Sequence, residues 1–287
     1  MTREKTQFYR CFFSGLFRLS FDGEIYDVLE CVLIIDTVIE AREALAQTIG
    51  EAENTCFFTG AGISTHSGIP DFRSPGGIWS QYRIIEYSEF VSNEDARRED
   101  WDRRFHMAEL FAKAEPNAAH VFIADLIKAG RAKGVITQNI DGLHQRAGVS
   151  DDHVVEFHGT GAHAHCLRCG KRHEVDVVER HIDETGDIPN CECGGLIKAA
   201  VISFGENLPA QTIKRAQSMI ETADLVIAIG SSLQVWPASG LLELALARDA
   251  ALIVINRDET PFDGSARLVL RGDLVEITQG IAGGCLS

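Results

Sequence analysis

The sequence has few basic residues and no long apolar run. Its 27 Lys and Arg residues stand against 42 Asp and Glu residues, which gives a net charge of −15 over 287 residues. Because nucleic acids and anionic lipid surfaces attract positively charged proteins, we expect neither a nucleic-acid partner nor a membrane partner. The longest apolar stretch, residues 31–40, is interrupted by Asp36. A membrane-spanning helix needs about 20 consecutive apolar residues, so no such helix is predicted.

The first 30 residues also lack features of a secretory signal. They are rich in phenylalanine but contain neither a clean apolar centre nor a small-residue cleavage site. We therefore expect a cytoplasmic protein.

Four of the eight cysteines lie within 28 residues of one another. In a chain that is not exported, such a cluster favours metal binding over disulfides.

Short apolar, β-branched runs alternate with helical stretches through the rest of the chain. Runs without polar alternation are typical of strands buried on both faces of a parallel sheet. The predicted strands are 55–59, 134–137, 224–229 and 251–255, and the predicted helices are 118–129, 210–222 and 238–248. This order predicts an α/β fold with a doubly wound, mostly parallel, Rossmann-like sheet.

One stretch breaks this pattern and predicts a small inserted module. Residues from about 160 to 208 have few apolar runs and contain the cysteine cluster. We therefore expect a discontinuous Rossmann-like domain with a zinc-binding module set into it. The predicted boundaries are an N-terminal extension at 1–36, the Rossmann-like domain at 37–159 and 205–280, the zinc-binding module at 160–204 and a C-terminal tail at 281–287.

Glycine and small polar residues follow the predicted strands. Ligands of doubly wound sheets bind at the carboxyl ends of the strands, so these residues predict a nucleotide site. A glycine pair, Gly60 and Gly62, lets the backbone approach a pyrophosphate closely. The ordinary dinucleotide fingerprint is incomplete, because Thr65 stands where its third glycine belongs.

The clustered cysteines have the spacing of a structural zinc site. Cys166 and Cys169 form one close pair, and after 21 residues Cys191 and Cys193 form a second. Four thiolates complete a tetrahedral shell and leave no open position for a substrate. Three nearby histidines are alternative ligands that such a shell does not need: His163, His165 and His173.

The segment 60–79 closely resembles the nucleotide-binding segment of the sirtuins, which are NAD-dependent protein-lysine deacylases. Further sirtuin-like motifs follow in the family's order at 137–144, 158–159, 204–206, 230–235 and 255–256, with the four cysteines among them. The resemblance covers residues from about 38 to 274. The chain is therefore identified as a member of this family.

The resemblance implies roles for individual residues. His158 matches the general base, Asn139 the residue that orders the nicotinamide ribose and a water, and Asp141 the acceptor of the nicotinamide amide. Ile202, Phe204 and Gly205 match the peptide-binding segment, which we expect to be extended backbone that pairs with the substrate as an added strand. The implied NAD-binding residues are Gly60, Ala61, Gly62, Ser64, Asp71, Phe72, Arg73, Gln138, Asn139, Ile140, Asp141, Gly230, Ser231, Ser232, Asn256 and Arg257.

The resemblance also implies a reaction in which NAD is consumed. Its products are nicotinamide, the free lysine of the protein substrate and O-acyl-ADP-ribose, while zinc is structural. Two alternatives stay open: a protein mono-ADP-ribosyltransferase using the same NAD site, and a non-catalytic NAD-sensing or acyl-lysine-binding scaffold.

Sirtuins selective for acidic acyl groups carry a Tyr and an Arg three residues apart, for which Trp101 and Arg104 are the nearest counterparts. Because the Tyr is missing, we expect acetyl or another neutral acyl group.

Overall fold

The structure, a computed structural model, describes residues 16–21, 24–29 and 32–281, the first two segments by their backbone alone. Apart from Ile281, the predicted C-terminal tail lies outside the described residues, as do Cys11, Cys31 and Cys285. The strands are β1 (Leu16–Phe21), β2 (Glu24–Leu29), β3 (Leu33–Ile35), β4 (Thr55–Thr59), β5 (Ala132–Thr137), β6 (Val154–Glu156), β7 (Gly159–Cys166), β8 (Arg172–His173), β9 (Ile197–Val201), β10 (Leu225–Ile229), β11 (Ala251–Ile255) and β12 (Leu268–Leu270).

Helices occupy most of the connections between these strands. The α-helices are α1 (Val38–Glu51), α2 (Ile78–Gln81), α3 (Tyr87–Ser92), α4 (Glu94–Lys113), α5 (Ala118–Lys128), α6 (Leu143–Arg146), α7 (Val175–Thr185), α8 (Ala210–Glu221), α9 (Gly240–Leu246) and α10 (Leu274–Thr278). Short 3-10 helices cover Ala61–Ser67, Asp151–His153 and Asp263–Ser265. No helix in the described part of the chain has both the length and the apolar composition that crossing a membrane requires.

The central sheet has seven parallel strands in the order β3-β12-β11-β10-β4-β5-β6. From β4 the chain adds strands outward through β5 to β6, then returns and adds β10, β11 and β12 on the other side. The strand order therefore reverses between β4 and β10, and a crevice forms at such a point beyond the carboxyl ends of the strands. The predicted doubly wound fold is confirmed.

The central strands are mostly apolar because helices cover both faces of the sheet. Every residue of β4 and β10 is buried. Phe57 points to the face covered by α1, α5 and α10, and its neighbour Phe58 points to the face covered by α8 and α9. Successive side chains of a strand point to opposite faces, so an uninterrupted apolar run serves two cores at once.

A second, smaller sheet interrupts the sequence of the first. Strands β8, β7 and β9 form an antiparallel sheet between Gly159 and Val201, with α7 between β8 and β9. Trp101 of the long helix α4 is 1% exposed and packs with Cys166, Val178 and Ile197 of this module. Helix α4 therefore joins the small sheet to the body of the protein.

Two helical segments near the carboxyl ends of the strands are short. The segment after Gly60 is a 3-10 helix of seven residues, Ala61–Ser67. It ends at Gly68, whose φ of 87° belongs to the left-handed region that stops a helix. The predicted helix at 238–248 is shorter and covers only Gly240–Leu246.

Candidate active site and metal centre

The loops that follow the four central strands meet at one edge of the sheet. The N–H groups of Gly60, Gln138 and Gly230 donate to carbonyls of the neighbouring strands, at 3.2, 2.9 and 2.9 Å. These bonds continue the parallel ladder by one residue on each strand. The structure thus brings together the glycine and polar residues that the sequence predicts for a nucleotide site.

Two glycine loops touch each other at the reversal of strand order. The N–H of Gly62 donates to the carbonyl of Gly230 at 2.7 Å. A Cβ on Gly62 would lie 2.7 Å from that oxygen, and a Cβ on Gly230, whose φ is 62°, would lie 2.3 Å from the nitrogen of Ile63. From the sequence we attribute Gly62 to a close approach of phosphate. In the structure, Gly62 and Gly230 also allow two loops to approach each other closely.

Asp141 is a half-buried carboxylate without a cationic partner among the described residues. Its oxygens accept hydrogen bonds from Ser64 Oγ at 2.7 Å and from the N–H of Leu143 at 2.9 Å, but no residue within 32–281 forms a salt bridge with it. Burial raises the pKa of Asp141. Asn139 lies beside it and donates from Nδ2 to the carbonyl of Gly60 and to Ser64 Oγ, at 3.1 and 3.2 Å. The carboxylate of Asp141 has lone pairs left to accept an amide N–H such as that of nicotinamide, so these residues fit NAD.

His158 follows β6 and is held as a neutral base. Its Nδ1 lies 3.1 Å from the carbonyl oxygen of Gln138. A carbonyl only accepts, so Nδ1 carries the proton and Nε2 keeps its lone pair. Burial lowers the pKa of His158, which keeps the imidazole neutral near pH 7. The orienting carbonyl of Gln138 is a functional group that the sequence motifs do not reveal.

The segment after Gly68 contains a tight turn and an arginine that contacts the loop after β10. Asp71 accepts from the N–H groups of Arg73 and Ser74, at 2.9 and 2.7 Å, and so closes a tight turn. The guanidinium of Arg73 lies 4.6 Å from the ring centre of Trp79 and donates to Ser232 Oγ at 3.2 Å. This turn is therefore fixed against the loop after β10.

Trp79 connects the same turn to the predicted peptide site. Its ring centre lies 5.8 Å from that of Phe72 and 6.2 Å from that of Phe204. Trp79 is the last residue of the sirtuin-like segment 60–79, but the resemblance implies no role for it. An aromatic ring that packs between these two segments places the predicted cofactor loop and the predicted substrate segment side by side.

The predicted substrate segment is extended only at its start. Strand β9 ends at Val201, and the N–H of Ile202 donates to the carbonyl of His158 at 2.9 Å. The prediction of extended backbone through Glu206 is wrong, because the N–H of Glu206 donates to the carbonyl of Ser203 at 3.0 Å and closes a turn. Phe204, at the top of this turn, is 48% exposed.

The remaining predicted residues lie at the rim of the site. Asn256 follows β11 and donates from Nδ2 to the carbonyl of Asp258 at 2.8 Å, while the exposed Arg257 lies 3.7 Å from the carboxylate of Asp258. Gln138 donates from Nε2 to Ser231 Oγ at 2.9 Å and joins the loops after β5 and β10. Ile140 packs instead against the apolar core of the small sheet.

The four clustered cysteines form the predicted metal centre. Their sulfur atoms all lie within 4.8 Å of one another, and none of the three nearby histidines belongs to the group. The Sγ distances are 3.5 Å between Cys166 and Cys193 and 3.7 Å between Cys169 and Cys191. Zinc–sulfur bonds of about 2.3 Å place the corners of a tetrahedron about 3.8 Å apart, so this set fits Zn²⁺.

Glycine and hydrogen bonds complete the metal centre. A Cβ on Gly195 would lie 2.6 Å from Cys166 Sγ, so only glycine fits behind this thiol. The backbone N–H groups of Cys169 and Arg168 lower the pKa of Cys166. Thiolates are the form that binds zinc.

A family model described as the Sir2 family matches residues 60–237. An NAD-dependent protein deacetylase of Rhodopseudomonas palustris is 48% identical over 245 residues, which cover 85% of this chain and 97% of that protein. The chain belongs to the Sir2 family. Membership confirms the predicted resemblance, and with the site geometry it confirms NAD and structural zinc as the groups of this protein.

Solved Sir2 structures share the fold. One, a Sir2 variant with a deacetylated p53 peptide and 3′-O-acetyl ADP ribose, has a TM-score of 0.77 and 37% identity and covers 84% of this chain and 99% of its own. Another is described as Sir2Tm bound to a propionylated peptide. It has a TM-score of 0.73 and 38% identity and covers 82% of this chain and 94% of its own.

Proposed function

We propose that this Sir2 protein removes acyl groups from lysine side chains of proteins and transfers them to the ADP-ribose part of NAD, with His158 as the general base. The class of enzyme, an NAD-dependent protein deacylase, is confirmed by the family and by the names of close relatives. The assignment of residues is the proposal. The observation that carries it is the bond from His158 Nδ1 to the carbonyl of Gln138, which leaves Nε2 free to accept a proton.

The other site residues bind and orient. Bound NAD supplies a ribose carbon from which nicotinamide departs. Asp141 and Asn139 hold the nicotinamide end through hydrogen bonds, and their burial excludes water. Ser231 and Ser232 offer uncharged hydroxyl groups to the phosphates and to the second ribose. His158 Nε2 would remove the proton from a ribose hydroxyl, so that this oxygen bonds to the acyl carbon. Nicotinamide and the lysine amine are the leaving groups, and one water is consumed.

His158→Ala tests this assignment. A positioned base contributes roughly 10²- to 10⁴-fold, so we expect kcat to fall by that factor while the Kd for NAD changes by less than about threefold. Activity is followed by mass analysis of an acetyl-lysine peptide. His181→Ala, which changes an exposed histidine on α7, is the matched control.

A normal rate for His158→Ala would refute the assignment of the base. Mass analysis also separates deacylation from the alternative reaction. Loss of the acyl mass supports deacylation, whereas a peptide that gains ADP-ribose identifies a mono-ADP-ribosyltransferase.

We further propose that the enzyme prefers acetyl and other small neutral acyl groups. Arg104, the nearest counterpart of an acyl-carboxylate receptor, lies 3.4 Å from the buried carboxylate of Asp100, which also pairs with Arg103. The side chain of Arg104 is 13% exposed and Trp101 is buried. An arginine committed to an internal carboxylate is not available to bind a carboxylate on the substrate.

Rates with matched acyl peptides test this preference. We expect kcat/KM for a succinyl-lysine peptide to be at least about tenfold below that for the acetyl and propionyl peptides, which is about 1.4 kcal/mol in transition-state binding. Arg104→Met provides the control, because the ratio between acyl groups should stay unchanged. A succinyl peptide that reacts faster than the acetyl peptide would contradict the proposal.

We place the protein in the cytoplasm, where reducing conditions keep cysteines as thiols. The five cysteines within the described residues are all free, and four of them form the metal centre. Thiols that bind metal rather than pair as disulfides are typical of that compartment.

A further inference from the structure

Lys198 on β9 is a buried lysine that the active-site assignment does not use. Its side chain is 1% exposed, and within the described residues it is the only lysine in the buried class. Its Nζ lies 2.9 Å from Glu206 Oε2 and also donates to the carbonyl of Val201. Burying an ammonium group is costly unless it is paired and hydrogen-bonded, so both contacts are needed to keep Lys198 charged.

Glu206 uses the same carboxylate to close the turn of the substrate segment. Its Oε2 accepts from the N–H of Ser203 at 2.8 Å, and its own N–H donates to the carbonyl of Ser203 at 3.0 Å. Gly205 in this turn has a φ of 76°. One oxygen atom therefore joins the buried ammonium to the turn Ser203–Glu206.

This turn contacts both halves of the predicted active site. The carbonyl of Phe204 accepts from the N–H of Tyr87 at 2.8 Å, and the Phe204 ring packs against Trp79. Just before the turn, Ile202 is bonded to the carbonyl of His158. A shift of the turn would move Phe204 relative to His158 and Trp79.

Other charges enclose the Lys198–Glu206 pair. Asp100 and Arg104 of α4 are close enough to act on Lys198 electrostatically, and Arg104 also acts on Glu206. The ring of Phe90 lies 5.9 Å from Nζ. The pair thus lies in a closed, charge-balanced pocket between α4, β9 and the turn, and removal of one member leaves the other without its partner.

We propose that Lys198 is a positioning residue for peptide binding, because its ion pair with Glu206 fixes the Ser203–Glu206 turn against the zinc module. The inference rests on the proposed function, which identifies this turn as part of the acyl-lysine site. None of the hydrogen bonds and ion pairs of Lys198 is with a residue assigned to NAD or to proton transfer. Its loss should therefore weaken peptide binding and leave NAD binding intact.

Lys198→Met tests this role with an apolar side chain of similar length. Binding of a fluorescent acetyl-lysine peptide is measured by anisotropy, and the KM values for peptide and NAD are measured separately. We expect the peptide Kd and KM to rise at least about tenfold while the KM for NAD changes by less than twofold. Lys214→Met on α8 is the control, because this lysine is exposed and forms no salt bridge in the described chain.

Glu206→Gln and the double variant separate positioning from general destabilisation. Two residues that act through one contact are not additive, so the double variant should raise the peptide Kd no more than the worse single variant does. Zinc content is measured for each protein. Residue 206 lies beyond the end of β9. If Lys198→Met loses zinc, the peptide affinity of Glu206→Gln therefore decides the test.

Two results would overturn the proposal: unchanged peptide binding in both single variants, or effects of the two substitutions that multiply in the double variant. A failure of the proposed function is distinguishable from either. In that case the wild type and Lys214→Met would bind the peptide but would not remove its acyl group, and their peptide affinities could still be compared with those of the variants.

Discussion

The seven-stranded sheet and the small three-stranded sheet hold their active-site residues by different means. In the large sheet, apolar strands buried on both faces fix the positions of Gly60, Gln138 and Gly230. The small sheet has a much smaller apolar core, and four cysteines and the Lys198–Glu206 pair stabilise it instead. The proposed NAD-binding half therefore depends on hydrophobic burial, whereas the proposed peptide-binding half depends on a metal and on buried charge.

Removal of zinc should separate the behaviour of the two sheets most clearly. A structural zinc site contributes directly to folding, so Cys169→Ala should unfold the small module. We expect deacylation to fall by more than about 10³-fold, whereas NAD should still bind to the large sheet with a Kd within about fivefold of the wild type. Zinc content, peptide anisotropy and calorimetric titration of NAD provide the three measurements.

Cys56→Ala is the matched control for the loss of a thiol. Cys56 lies in β4, where burial raises its pKa to about 12 and keeps it a neutral thiol. This variant should retain its zinc and its peptide affinity. If Cys169→Ala lost NAD binding together with peptide binding, the two halves would fold as one unit and the comparison above would fail.

The order of elements and the metal site could be predicted because their signals are local. Uninterrupted β-branched runs predict buried strands, and the crossover rules of parallel sheets then bring their carboxyl ends together. The spacing of the four cysteines is likewise a local pattern. Neither prediction requires knowing how distant side chains pack.

Contacts between distant segments could not be predicted from the sequence. Lys198 stands in the run Ile197–Val201, where one lysine resembles an ordinary solvent-facing residue of a strand. Only the packing of α4 against β9 shows that it is buried near Asp100. The turn at Ser203–Glu206 could not be predicted from the sequence for the same reason, because the Glu206 carboxylate that stabilises it is shared with Lys198.

Acid should destabilise the large sheet through two buried histidines that the zinc module does not contain. His120 of α5 and His144 of α6 lie with ring centres 5.1 Å apart, and His144 Nε2 lies 2.9 Å from Thr59 Oγ1. Burial lowers the pKa of His120 to about 4, and burial with the neighbouring His120 lowers that of His144 to about 3. An unfolded histidine has a pKa near 6.5, so between these values the unfolded chain binds more protons than the folded one.

The free energy of unfolding should therefore fall as the pH drops below about 6.5. Each histidine contributes a slope that approaches about 1.4 kcal/mol per pH unit and that levels off below its folded pKa. His120→Gln isolates one contribution. His120 Nδ1 accepts from the N–H of Asn117 at 3.3 Å as part of a capping box, and a glutamine at this position provides the same acceptor.

Urea denaturation at several pH values from 7 to 4.5 compares the two proteins. Below pH 6 the slope for His120→Gln should be smaller than that of the wild type by up to about 1.4 kcal/mol per pH unit. His181→Gln changes an exposed histidine and should leave the slope unchanged. Both variants keep the four cysteines, so protonation of the zinc ligands affects them equally and cancels in the difference. Equal slopes for His120→Gln and the wild type would contradict the contribution assigned to His120.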